Sequence, residues 1–157
     1  MEYYLTVKLI HIISAVVVAG TGTGIAFFMY MANRSNNIQA IAITTKHVVL
    51  ADWIFTFPAV VTQFISGMVL VNMLNYSYSS AWFLTVISLF LFIGACWLPV
   101  VYLQYKLKHY ADQAIQDGVL NDAFKKTMKL WTALGIPAFI SILIIFWLMI
   151  FKPLSVI

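Results

Sequence analysis

The chain has 157 residues, 63% of them hydrophobic and only 9% charged, with a net charge of +4. A soluble domain carries about 25% charged residues, so this composition excludes an ordinary soluble protein and implies an integral membrane protein of one domain, residues 1–157, with no separate soluble unit. The positive charge does not point to nucleic acid, because the basic residues sit at the edges of apolar runs, where the positive-inside rule accounts for them.

The first apolar run predicts a helix from about Tyr3 to Asn33. It is too long for the apolar region of a signal peptide, and Glu2 stands where a basic residue would be expected, so it reads as a first transmembrane helix. The polar cluster Asn33-Arg34-Ser35-Asn36-Asn37 ends it. A second helix starts at Gln39 or Thr45, with 45–74 taken as its extent, because Thr44, Thr45, Lys46 and His47 are too polar for the hydrocarbon centre. After the uncharged loop Asn75–Ser80, a third helix covers 81–105 with a polar extension to 116, where Asp117-Gly118 breaks it. Asn121 is the expected N-cap of a fourth helix, 122–151, closed by Lys152-Pro153. Pro58, Pro99 and Pro137 each fall inside one of these helices and predict kinks. The single cysteine, Cys96, excludes a disulfide framework and reads as a small buried hydrophobe.

Arg34 and Lys46 flank the first loop, and Lys106, Lys108, Lys125, Lys126 and Lys129 the third, whereas the second has no basic residue. The expectation is an all-α four-helix membrane bundle with both termini on the outer, periplasmic side of a bacterial inner membrane. Lys8 and Lys152, near the outer ends, are placed to snorkel. Tyr3, Tyr4, Tyr76, Tyr78 and Trp82 fit an outer aromatic belt.

Two polar stripes carry the candidate chemistry. On helix one, His11, Ala15, Val18, Gly22 and Met29 share a face, with Gly20, Gly22 and Gly24 offering a small-residue surface for another helix or a flat cofactor. On helix two, Asp52, Thr56, Ala59, Gln63, Ser66 and Gly67 fall in one arc that should face the bundle. Interhelical hydrogen bonding explains that arc as well as a proton or cofactor path through Lys8, Asp52 and Thr56 does. Measured from a turn at Asn36, His11 and Gln63 lie at nearly one level, while His47 lies about 20 Å away along the helix axis. That separation excludes a single haem ligated by both histidines. His11 either binds haem iron, alone or with Met68, or is an ordinary intramembrane histidine bonded to Gln63. Gly67 and Gly94 offer room at the same level. His47 belongs to a separate metal site or to none, and His109 is solvated.

Lys8-Leu9-Ile10-His11-Ile12-Ile13, Pro58-Ala59 with Gly67, and Pro137 leading to Lys152-Pro153 resemble the HemJ-type protoporphyrinogen oxidases. Asp52 through Ala59, Gln63, Gly67, Trp97-Leu98-Pro99 and Gln104 look closer to a sister group of uncharacterised four-helix integral membrane proteins. The resemblance implies haem b, with His11 as ligand. It departs on helix three, where Trp97-Leu98-Pro99 stands in place of a Tyr-His pair. The leading expectation is a b-type haem redox protein that exchanges electrons with a quinone or porphyrinogen-like partner. Its rival is a haem-free accessory subunit that contacts other membrane subunits or a second copy of itself.

Overall fold

The computed structural model describes residues Glu2–Lys152 and is all-helical. Four helices run up and down: α1 (Glu2–Ser35), α2 (Ile38–Met73), α3 (Ala81–Asp117) and α4 (Asp122–Phe151). Each is long and apolar enough to cross a membrane. At 1.5 Å per residue, α3 is about 55 Å long, well beyond the ~30 Å hydrocarbon core. The excess lies at the end that carries the α1–α2 and α3–α4 turns. This is called the basic end below, and the other, where both termini and the α2–α3 loop meet, the terminal end.

The turns are set by local chemistry. Asn36 takes a left-handed conformation (φ 53°), and Asn37 caps α2 by accepting the Ala40 N–H at 3.0 Å. Gly118 (φ 73°) closes α3, and Asn121 caps α4 through the Phe124 N–H at 2.8 Å. α2 therefore starts at Ile38, beside the earlier of the two expected starts, Gln39, and not at Thr45. Its polar first turns stay helical because they pack on the extended α3, where Lys46 pairs with Asp112 at 3.3 Å. Pro153 lies outside the described residues; Lys152 itself ends α4 with φ 45°.

One irregularity interrupts α2. Asp52–Thr56 form a π-helical turn in which the Phe57 N–H bonds the Asp52 carbonyl. Pro58 supplies the reason: it has no N–H, and its ring crowds the carbonyl four residues earlier, so the preceding turn widens.

The core sits in the basic half. Ile41, Leu107, Ala111 and Phe124 are 0% exposed, and Met29, Val48, Leu103 and Trp131 join the same cluster. There α2 packs along α1 and α3, and α3 packs along α4. Toward the terminal end α2 stays against α1 while α3 stays against α4, and a space opens between the two pairs. Of the expected α1 stripe, Met29 is buried and Ala15 and Val18 are half-buried, but Gly22 is exposed. Gly20, Gly22 and Gly24 have open space about them. Val7, Ser14, Ile25, Met29 and Ala32 form the true inward face, and the glycines lie beside it rather than on it.

Candidate ligand cavity

The space at the terminal end is a cavity of about 430 Å³ with predominantly apolar walls. Phe64 of α2 stacks on Phe90 of α3 across it, ring centres 5.8 Å apart. Tyr76 and Trp82 close its upper side, and the Trp82 indole N–H donates to the Leu148 carbonyl at 2.9 Å, pinning α3 to α4. Lys8 and Lys152 line its mouth. The Lys152 ammonium donates to the Tyr76 hydroxyl at 2.7 Å.

His11, Gln63, Gly67 and Met68 all line this cavity, together with Lys8. Gly94 does not: counting residues gives its depth but not its face, and it is half-buried on α3 with nothing near its α-carbon. Asp52 and Thr56 are also separate. Asp52 lies about 16 Å and Thr56 about 10 Å from Gln63 along α2, and neither lines the cavity. His47 is exposed on the basic half, and His109 is exposed beside Tyr110. Among the described residues, no group of three or more His, Cys, Asp or Glu side chains comes together.

The polar floor of the cavity is a directed chain of hydrogen bonds. The Ser66 hydroxyl donates to the Thr62 carbonyl at 2.6 Å. Its oxygen must therefore accept from His11, whose Nδ1 lies 2.9 Å away. That assignment puts the imidazole proton on Nδ1 and leaves Nε2 as an acceptor. The Gln63 amide nitrogen, 3.0 Å from Nε2, supplies the donor. Gln63 Oε1 accepts from the Ser14 hydroxyl at 2.6 Å. The Ser14 hydroxyl also lies 2.9 Å from the His11 carbonyl oxygen, so its single proton has two acceptors within reach.

The ring docks edge-on against α2. A Cβ at position 67 would stand 3.1 Å from His11 Cε1, so Gly67 makes room for the histidine itself. With Nδ1, Cε1 and Nε2 all turned onto α2, neither ring nitrogen offers a lone pair to the cavity. Haem iron on Nε2 would need the position the Gln63 amide holds. The residues in this arrangement do not fit haem ligation, although Met68 lies in the same wall. Ser14 was missed in the sequence reading; it falls one turn after His11 on the inward face, and that spacing was the available signal.

A second polar cluster surrounds Asp52, which is 5% exposed. Thr56, Gln104 and Trp97 reach its carboxyl group.

A family model described as a predicted integral membrane protein, DUF2269, matches residues 5–153. No curated protein and no solved structure matches the chain. The match supports the sister-group resemblance drawn from Asp52 through Gln104, and nothing in it links the chain to the HemJ-type oxidases. Spanning nearly the whole chain, it makes this protein a member of the DUF2269 family of predicted integral membrane proteins.

Proposed function

We propose that this protein binds an amphipathic ring-bearing molecule of the quinone class in the terminal-end cavity, and that it serves membrane electron transfer through the redox chemistry of that ligand. The observation that carries the reading is the cavity itself. Its volume of about 430 Å³ falls in the 300–1,000 Å³ range of small-molecule sites, with apolar and aromatic walls and a few fixed polar groups. The Phe64–Phe90 pair offers faces for a flat ring. Lys8 supplies a donor for a ring carbonyl. The seven basic residues around the α1–α2 and α3–α4 turns orient the basic end to the cytoplasm of a bacterial inner membrane. The cavity then opens at the outer leaflet, with both termini outside. Cysteines placed at Ser35 and Ser79 in a Cys96→Ala background should react with impermeant thiol reagents from opposite sides; labelling of both from one side contradicts the orientation.

The test is a titration of the detergent-purified protein with decylubiquinone, read by quenching of tryptophan fluorescence, since Trp82 lies in the cavity wall. Val86→Trp fills the cavity and should weaken binding at least ~10-fold, whereas Leu98→Trp on the lipid face should not. Unchanged binding in Val86→Trp refutes the site. Haem added to the same protein should give no spectrum of a histidine-ligated species while Gln63 is in place. A Soret band lost on His11→Ala would restore the haem reading.

A second reading, an accessory subunit of a larger membrane assembly, is favoured by the open glycines of α1. Gly20 and Gly24 present a small-residue face of the kind that lets two membrane helices approach closely. Gly20→Leu should then release a co-purifying chain.

A further inference from the structure

Two polar bridges cross the seam between α2 and α3 toward the basic end. In one, the Trp53 indole N–H donates to the Tyr105 hydroxyl at 2.7 Å. In the other, Asp112 takes the Lys46 ammonium at 3.3 Å and the Lys108 ammonium at 3.8 Å. The spacing is matched on the two antiparallel helices: Lys46 and Trp53 stand seven positions apart, as do Tyr105 and Asp112. Seven positions return a helix to nearly the same face, so both bridges lie on one side of the seam, about 10 Å apart along it. Depth follows from α3. Trp82, at the terminal end, and Tyr102 stand about 30 Å apart along that helix, the thickness of the hydrocarbon core. The Trp53–Tyr105 bridge therefore sits at the bilayer boundary, and the Lys46–Asp112–Lys108 group sits in the headgroup layer beyond it.

Both bridges leave donors over. Asp112 is one carboxylate shared by two ammonium groups, so the seam keeps a net positive charge. Asp122 is taken by Lys125, and Asp117 lies about 8 Å beyond Asp112 along α3. Lys106 adds a further cation. Its ammonium lies 4.7 Å from the centre of the Tyr102 ring and pairs with no carboxylate among the described residues. The Tyr105 hydroxyl accepts from Trp53, and no group among the described residues accepts its own proton. Below these donors, toward the bilayer centre, Trp53 and Phe57 present exposed rings with centres 5.4 Å apart. An anion that matches this surface carries its charge in the headgroup layer and apolar chains beneath it. We infer that the α2–α3 seam docks one anionic phospholipid of the leaflet at the basic end, its headgroup between the two bridges and its acyl chains along Trp53 and Phe57. None of these residues lines the ligand cavity, so the site is independent of it.

The experiment reconstitutes the intact protein in phosphatidylcholine vesicles that hold a minor fraction of brominated phosphatidylglycerol or, in parallel, of brominated phosphatidylcholine. Bromine on the acyl chains quenches a neighbouring indole, so docking beside Trp53 gives the anionic lipid the stronger quenching. One net charge at an anionic lipid is worth about a fivefold preference. The preference should fall as salt is raised and disappear in Trp53→Phe, which removes the reporting indole. Lys46→Gln/Lys108→Gln should abolish it, whereas Lys126→Gln on α4 should keep it. Asp112→Asn separates a lipid site from an ordinary ion pair: it breaks both pairs yet should strengthen the preference, because it raises the net charge of the seam. If the double lysine variant does not fold, Lys108→Gln alone carries the test and should shrink the preference. Equal quenching by the two brominated lipids overturns the proposal and leaves the seam an ordinary interfacial belt. A preference that survives loss of the lysines or of Trp53, or that Asp112→Asn or Lys126→Gln abolishes, overturns it as well.

Discussion

The two halves of this bundle are built from the same helices and solve opposite problems. In the basic half, Ile41, Leu107, Ala111 and Phe124 are sealed completely, and four helices meet at one core. In the terminal half, α1 with α2 and α3 with α4 stay paired while the pairs part around a hollow. Large side chains fill the first region. In the second, Phe64, Phe90 and Tyr76 line the space without filling it. The difference teaches where stability and binding reside. A membrane bundle gains little from burying apolar side chains away from equally apolar lipid, so its stability rests on close van der Waals packing. The hollow half forgoes that packing and holds together through directed hydrogen bonds.

The comparison breaks most visibly at the core. Phe124→Ala should cost about 3–5 kcal/mol in detergent unfolding, whereas Val86→Ala, at a half-buried position that already borders the cavity, should cost under about 1 kcal/mol. Equal losses at the two sites would mean that the halves are not differently packed.

A smaller effect is expected at the polar floor. Gln63→Leu removes the donor to His11 Nε2 and the acceptor for Ser14, and should cost about 1–3 kcal/mol. It should also free Nε2. Haem or imidazole-binding metal ions added to Gln63→Leu should then show ligation that the parent does not, and the gain should vanish in Gln63→Leu/His11→Ala. Equal ligation by parent and variant would show that Gln63 does not guard the ring.

These contrasts also mark how far the sequence could be read. The four helices were legible because runs of thirty or more residues with so few charges have no other stable form in a bilayer. The meeting of His11, Gln63, Gly67 and Met68 was legible too. Helical rise and one turn suffice to match levels across α1 and α2. Gly94 failed because level says nothing about rotation around the axis. Gly22 failed for a related reason: the true inward face of α1 runs through Ser14 and Ile25, a little to one side of the stripe drawn through His11. The choice between Gln39 and Thr45 as the start of α2 was obscured because Lys46 looks like the end of a span until its partner Asp112, far away in the chain, is seen. The role of His11 depended on which atoms its ring touches, and periodicity cannot supply that. The haem expectation followed from the residue type and the resemblance; the ring's edge-on docking is a matter of three side chains on another helix.

The most direct test of the central claim, that the hollow half is a binding site, is photoaffinity mapping with an azido-quinone in native membranes. The account predicts adducts on the cavity faces of α2 and α3, at Phe64, Met68, Val86 or Phe90, competed away by decylubiquinone and lost in Val86→Trp. Adducts spread over lipid-facing residues such as Leu98 and Leu91, unaffected by competitor or by Val86→Trp, would contradict it.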